Sequence, residues 1–320
     1  MTAVVVTYNR RDLLLEALAA VHAQSRAPDA VIVVDNASTD DTAAAVRTRY
    51  PAARLAELGH NTGGAGGFAY GMALALADGA DLVWLMDDDT VPEPDALRAM
   101  LEARRSHPDR SPALIASRVV WTDGRAHPMN TPRTKPFAGQ AERLAAAAAG
   151  CLPIRSASFV SILVDAGECL IRGLPQADYF LWNDDFEFTT RLLRGNVGLL
   201  CPASVAVHKT RTFGSTDTDP GQRFFYEVRN KIWTLRSGSP LAPAERILYG
   251  GSTLRRWART FARSGDRGGL GRSLARGILA GVRTRPRPTE EVLAAAGLMM
   301  PARPQDRAGG SRGVVPPGQH

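Results

Sequence analysis

Four short apolar runs alternate with helix-like stretches before residue 95, and this alternation limits the fold more than any other feature of the chain. Residues 3–6, 30–34, 54–58 and 82–86 read as strands. Between them lie Leu13, Leu14, Ala17, Leu18 and Val21 at the 3.6-residue period, a helix from Asp41 to about Arg49, and another from about Phe68 to Ala77. Asp12 is placed to cap the first helix. Strand–helix repeats of this length make βαβ units with right-handed crossovers. The predicted fold class is therefore α/β, with a mixed, mainly parallel sheet flanked by helices. Pro92, just beyond the fourth run, is expected to stop its pairing.

Polar residues gather at the C-terminal tips of all four runs: Thr7-Tyr8-Asn9-Arg10, Asp35-Asn36, Asn61-Thr62-Gly63-Gly64 and Asp87-Asp88-Asp89. Open α/β sheets bind ligands at that edge. Three adjacent carboxylates repel one another unless a cation or donor-rich group neutralises them. Mg²⁺ and Mn²⁺ take carboxylate oxygens and leave positions for phosphate. An acidic loop capping the next helix is the simpler alternative. The stretch Gly63-Gly64-Ala65-Gly66-Gly67 lacks a clean GxGxxG at the first strand, which argues against a dinucleotide fingerprint. It suits close backbone approach to a nucleotide or sugar at a helix start, or a tightly packed flexible loop.

Further along, residues 113–120 read as a strand, and residues 155–164 read as one alternating strand in a mixed or antiparallel extension of the sheet. Residues 125–149 give little indication of shape. A second acidic group follows in Trp182-Asn183-Asp184-Asp185-Phe186-Glu187, with Asn183 or Asp184 capping a helix and Glu187 able to pair with Arg191 four residues on. The helix dipole lowers a carboxylate pKa at such a position, whereas burial beside Trp182 and Phe186 raises it. Asp184 and Asp185 are thus candidates for a general base toward a hydroxyl, or an ordinary acidic N-cap. His208 ends another apolar run and is a candidate metal ligand or simply a satisfied side chain.

The 320 residues carry a net charge of +7, and the excess arginines crowd the part after Glu245. No nucleic-acid-binding pattern accompanies them, so nucleic acid is not an expected partner. Arg255, Arg256, Arg259, Arg263, Arg272 and Arg276 are interleaved with Leu254, Trp257, Phe261 and Leu279. Such basic amphipathic helices suit either an anionic membrane surface or packing on the preceding domain. Three widely spaced cysteines, Cys151, Cys169 and Cys201, make no disulfide framework and point to a reducing, cytoplasmic setting. No signal peptide and no membrane span is expected. The expected divisions are a catalytic domain over 1–238, a basic helical region over 239–300 and a disordered tail over 301–320.

The ordered set Thr7-Tyr8-Asn9-Arg10, Val33 to Asp40, Asp87-Asp88-Asp89 and Trp182 to Glu187 resembles the GT-A-fold glycosyltransferases of family 2. The stretch Asn61 to Phe68 looks most like bacterial galactofuranosyltransferases and their rhamnosyltransferase relatives. The resemblance implies an inverting transferase that uses Mn²⁺ or Mg²⁺ and a UDP- or dTDP-linked sugar donor. UDP-galactofuranose is the first expectation and dTDP-rhamnose the second, with a glycan or polyprenyl-linked acceptor in cell-envelope polysaccharide synthesis. It implies donor contacts from Thr7, Tyr8, Arg10, Asp35, Asn36, Asn61, Gly63, Gly64, Asp87 and Asp88, and metal ligation by Asp87, Asp89 and His208. Asp185 becomes the base, with Asp184 and Trp182 on the acceptor side. Arg229, in Phe225-Tyr226-Glu227-Val228-Arg229-Asn230, would approach phosphate or stabilise its helix. The implied location is the cytoplasm, peripheral on the inner face of the plasma membrane. The rival readings are a nucleotidyltransferase and an inert nucleotide-sugar-binding scaffold.

Overall fold

The computed structural model describes residues 1–211, 213, 220–238 and 240–301. The tail expected over 301–320 falls, apart from Pro301, outside the described residues.

The first half forms as the alternation predicts. Strands β1 (Thr2–Thr7), β2 (Ala30–Asp35), β3 (Arg54–Glu57) and β4 (Leu82–Asp87) run parallel in the order β3-β2-β1-β4. Helices α1 (Arg11–His22), α2 (Thr42–Arg49) and α3 (Gly63–Ala77) connect them. Both faces of the sheet are covered, so β1 is buried along its whole length. Val4 and Val6 face Phe68 and Met72 of α3, while Ala3 and Val5 face Leu14 and Leu18 of α1 with Met100. This two-sided burial explains why these strands read as unbroken apolar runs rather than alternating ones.

Beyond β4 the sheet becomes mixed. Its order continues β4-β9-β6-β10-β8-β7, with β6 (Leu114–Val120), β7 (Arg133–Thr134), β8 (Leu152–Ser156), β9 (Ile162–Asp165) and β10 (Gly198–His208). Strand β9 runs antiparallel between β4 and β6, and β10 is parallel to β6. The single strand expected over 155–164 is thus two strands, β8 and β9, lying on opposite sides of β6 and β10. The break falls at residues 157–161, where Ser161 takes a positive φ of 57°. The expected stop at Pro92 is also revised. Thr90–Pro92 form a short strand, β5, that pairs antiparallel with the end of β10 and sets His208 opposite Thr90.

Helix α3 begins at Gly63, five residues before the expected start, so the glycine stretch is its first two turns. A Cβ on Gly67 would lie 2.6 Å from Val6 Cγ1, and one on Gly71 would collide with Val4. These glycines let α3 lie close on β1, a tertiary demand that overrides their poor helix propensity.

The remaining helices are α4 (Ala96–Ser106), α5 (Gln140–Ala148), α6 (Ala166–Arg172), α7 (Asp184–Leu192), α8 (Phe224–Arg236), α9 (Pro243–Arg263), α10 (Arg267–Arg283) and α11 (Thr289–Ala295). The last three pack on earlier elements. Leu270 of α10 joins Phe224 and Val228 of α8 in one cluster, with Trp257 and Phe261 of α9 against it. Leu293 of α11 packs on Ala69 and Ala177. Among the described residues, no helix is long and apolar enough to cross a membrane.

Candidate active site

The acidic tip of β4 is held by residues from two other segments, the tip of β1 and the end of β10. Asp88 is the most fully occupied of the three aspartates. It accepts from Thr7 Oγ1 at 2.8 Å, from the Tyr8 backbone N–H at 3.3 Å and from Arg10 Nη1 at 3.2 Å. Burial pushes its carboxyl up to about 6, against the pull of Arg10. Asp89 accepts from Arg10 Nη1 at 2.7 Å and lies 2.9 Å from His208 Nε2. Burial would raise the Asp89 carboxyl, but His208 and Arg10 outweigh it and hold the group below the usual carboxylate range.

Asp87 differs from both. It makes no hydrogen bond or ion pair among the described residues, and burial, then Asp89 and Asp88, raise its carboxyl well above the ordinary value. A half-buried carboxylate with two acidic neighbours and no donor calls for a cation. Ligand atoms of Asp87, Asp89 and His208 lie within 4.8 Å of one another. Two carboxylates and one imidazole fit a divalent ion of the Mn²⁺ type. The β5–β10 pairing builds this cluster, since it brings position 208 beside position 89 although 119 residues separate them.

A layer that the sequence did not disclose lies behind His208. Its Nδ1 donates to Asn130 Oδ1 at 2.8 Å, which leaves Nε2 as the nitrogen facing the carboxylates. Asn130 is itself held by Ser158 Oγ at 3.0 Å. The His127 ring stands 5.1 Å from that of His208, and its Nε2 meets Thr210 Oγ1 at 3.0 Å. Burial and then His208 depress the His127 pKa, so it sits there as a neutral ring. Metal-bound imidazoles are usually oriented by a partner on the other nitrogen, and Asn130 occupies that place.

The expected donor-side residues divide into two kinds. Asp35 is buried at the end of β2 and accepts from the Ser38 backbone N–H at 2.9 Å. The Asn36 side chain donates to Gly63 O and accepts from Thr62 N, both at 2.8 Å, so it ties the β2 tip to the start of α3. Asn61 accepts from the Gly63 N–H at 2.7 Å. In these places Asn36, Asn61 and Thr7 spend their side chains on the protein. Tyr8 is 43% exposed, and a Cβ on Gly64 would meet nothing within 4 Å. With Arg10, whose side chain is exposed although it reaches Asp88 and Asp89, these are donor-side positions that face open space.

The second acidic group sits on a strained loop. Phe180, Trp182 and Asn183 all have φ between 63° and 65°, a region non-glycine residues rarely enter. The Asn230 side chain on α8 donates to the carbonyls of Tyr179 and Leu181 at 2.9 Å and of Trp182 at 2.8 Å. Arg229 donates to the carbonyls of Asp178 and Tyr179 and lies flat on Trp233, 4.2 Å from the ring centroid. Of the two roles open to Arg229, its contacts are with the loop backbone and the aromatic rings. Gly63 completes the clamp, because any side chain there would strike the Phe180 carbonyl. The glycine stretch and the acidic loop, read separately in the sequence, are thus in contact.

Asp184 and Asp185 open α7 at the end of this loop. Asn183 precedes the helix in the left-handed conformation, and its side chain makes no cap; its amide donates to Glu227 Oε2 at 2.7 Å. Burial, then Asp185, pushes the Asp184 carboxyl up to about 8. Burial also raises Asp185, opposed by the Phe186 N–H, Lys231 and Arg133. Asp185 Oδ1 accepts from Phe186 N at 2.6 Å, which leaves Oδ2 open. The expected Glu187–Arg191 pair is present and buried at 2.7 Å, and Arg191 also donates to the carbonyls of Gly173 and Leu174. It is structural.

The chain has relatives among known proteins. The sequence profile of "Glycosyl transferase family 2" matches residues 2–158. The galactofuranosyltransferase GlfT1 of Mycobacterium tuberculosis is 32% identical over 267 residues, which span 73% of this chain and 81% of the relative. The chain belongs to glycosyl transferase family 2. Residues 1–349 of Staphylococcus aureus TarS, solved with UDP, superpose with a TM-score of 0.58 at 17% identity, over 83% of this chain and 73% of that solved chain. The mannosyltransferase PcManGT of Pyrobaculum calidifontis, solved with GDP-Man and Mn²⁺, gives a TM-score of 0.50 at 20% identity over 92% and 79%. The fold is GT-A, and the chain is a glycosyltransferase.

Proposed function

We propose that the enzyme is an inverting, divalent-metal-dependent galactofuranosyltransferase that moves galactofuranose from its UDP donor to a glycan or polyprenyl-linked acceptor. The convergence of Asp87, Asp89 and His208 beside the buried pair Asp184 and Asp185 carries this reading. The likeness to GlfT1 supports the choice of sugar. Asp87, Asp89 and His208 would hold the metal, with Mn²⁺ favoured over Mg²⁺ by the imidazole ligand. A bound divalent ion supplies charge neutralisation for the departing nucleoside diphosphate.

The chain's own residues do the rest. Tyr8 and Gly64 border the open donor side, while Thr7, Arg10, Asp35, Asn36 and Asn61 fix its walls. Asp185 takes the proton of the attacking acceptor hydroxyl on Oδ2, and displacement from the face opposite the diphosphate inverts the anomeric centre. Burial pushes Asp184 up to about 8, so it keeps its proton near pH 7, while Lys231 and Arg133 oppose the rise at Asp185. Trp182 lies beside it as an acceptor platform. Ile247 and Leu254 on α9, with Leu279 and Val282 on α10, are exposed among Arg255, Arg272 and Arg276. That face suits peripheral contact with an anionic membrane on its cytoplasmic side.

A donor screen by mass spectrometry, run with Mn²⁺ over a panel of glycan and polyprenyl-linked acceptors, tests the proposal. Transfer of a hexose from UDP-galactofuranose supports it. Transfer from dTDP-rhamnose alone, or from no donor, overturns it.

A further inference from the structure

The residue that orients the proposed base is held from the side by a carboxylate that takes no part in the proton transfer. Asn183 stands immediately before Asp184 and Asp185 with φ 63° and ψ 0°, and its carbonyl accepts from the Glu187 N–H at 2.9 Å to open the α7 ladder. A turn of this one residue would therefore swing both aspartates. Asparagine enters the left-handed region more readily than most residues, yet the conformation remains strained and needs support from its surroundings. The Asn183 amide does not cap the helix. It donates instead to Glu227 Oε2 at 2.7 Å.

Glu227 lies three residues before Asn230 on α8, so the two share a helix face. Asn230 takes the carbonyls of Tyr179, Leu181 and Trp182, and Glu227 takes the side chain of the next residue. The other carboxylate oxygen, Oε1, accepts from Arg256 and from Trp257 Nε1 at 3.1 Å, both on α9. The side chains of Glu227 and Arg256 are only 13% and 14% exposed, so this ion pair escapes most of the screening that weakens surface pairs. A carboxylate can accept at both oxygens at once, and here each oxygen faces a different element. Glu227 thus bridges α9 to the residue before the aspartates.

We propose that Glu227 is a positioning residue for transfer: braced by Arg256 and Trp257, it holds Asn183 in the left-handed conformation that sets Asp185 toward the acceptor hydroxyl. The proposal rests on the transferase reading above. It makes α9 part of the catalytic unit, in addition to any contact its exposed face makes with a membrane.

The test takes two readouts on the full chain: hydrogen–deuterium exchange at the amides of residues 183–187, and turnover with UDP-galactofuranose and a polyprenyl-linked glycan acceptor. Glu227→Ala should speed exchange in that segment about tenfold, the worth of one hydrogen bond to a charged group, and lower kcat by a similar factor while the donor KM stays unchanged. Asn183→Ala, which keeps the strain and loses the tether, should match it in both readouts. Asn183→Gly should retain most of the turnover, because glycine adopts the left-handed region without strain. In the Asn183→Gly background Glu227→Ala should change kcat by less than about twofold, since the contact it removes is already gone. Arg256→Met should shift both readouts in the same direction as Glu227→Ala, and it gives an answer where Glu227→Ala does not fold. Equal losses in Asn183→Ala and Asn183→Gly overturn the proposal. So does a full Glu227→Ala loss in the Asn183→Gly background, the result expected if Glu227 acted on Asp185 through its charge alone. A role in stability alone would lower the melting temperature and leave kcat of the folded protein unchanged, which also overturns it. Absence of turnover by the unaltered chain with any donor would instead strike the transferase reading, and the exchange comparison would still decide whether Glu227 holds Asn183.

Discussion

The β4 tip and the α7 loop both carry consecutive aspartates whose carboxyls burial raises, yet at the tip one of them, Asp89, is held down by cationic partners. At the β4 tip, His208 and Arg10 hold Asp89 below the usual carboxylate range, and Asp88 is wrapped by Thr7, Tyr8 and Arg10. At the α7 loop, burial raises both Asp184 and Asp185. The first arrangement fixes one ionised carboxylate, Asp89, beside two raised ones, which suits the proposed metal site. The second raises both carboxyls, which suits the proposed exchange of a proton. The backbones differ as well. The tip follows from regular strand pairing, whereas the loop is forced into the left-handed region and stapled by α8.

The sharpest way to break this comparison is to remove the proton acceptor alone. Asp185→Asn should lower the rate of transfer by about 10³-fold, within the range for a general base, and leave UDP affinity within about twofold. Retained turnover would remove Asp185 from that role. Asn230→Ala tests the staple. It strands three carbonyls of the strained loop, so it should cost about 1–3 kcal/mol in a denaturant titration and depress turnover while sparing UDP binding. An unchanged midpoint and unchanged rate would show that the loop holds itself.

Asn130→Ala probes the metal side. Loss of the partner on His208 Nδ1 should weaken metal affinity about tenfold and leave turnover near normal at saturating Mn²⁺. Metal titration of activity reads the effect, and an unchanged midpoint would deny Asn130 its orienting role. A further effect concerns stability against pH. The folded-state pKa of Asp184 is about 8, above that of the unfolded chain, so folding favours its protonated form. Its contribution is full below about pH 4 and is lost as the pH rises toward 8. Asp184→Asn should flatten that part of a melting-temperature profile, and an unaltered slope would show that Asp184 does not titrate there.

The same contrast explains what could be read from the sequence. The β4 edge was legible because β1, β2 and β4 are buried on both faces and their polar tips align on one edge. His208 could be singled out because it ends an apolar run. The staples could not be foreseen, since a positive φ at Phe180, Trp182 and Asn183 depends on Asn230, which lies on α8 well beyond the loop in sequence. The neighbouring Arg229 drew attention to the right segment, and it too donates to the loop, at Asp178 and Tyr179. Asn130 lies in a polar, proline-bearing segment with no period to mark it. The start of α3 at Gly63 was hidden because glycine reads as a loop, and only contact with Phe180 and Val6 explains why a helix tolerates it there. The strand expected over 155–164 misled for a related reason: alternation continued through residues where the chain leaves one part of the sheet for another.

The central claim is that the β4 tip binds the donor through a metal while the α7 loop does not contribute to that binding. Calorimetric titration of UDP with and without Mn²⁺, on the unaltered chain, Asp89→Asn and Asp185→Asn, tests it most directly. The expected result is Mn²⁺-dependent UDP binding that Asp89→Asn abolishes and Asp185→Asn preserves. UDP binding indifferent to Mn²⁺, or lost equally in both variants, would contradict it.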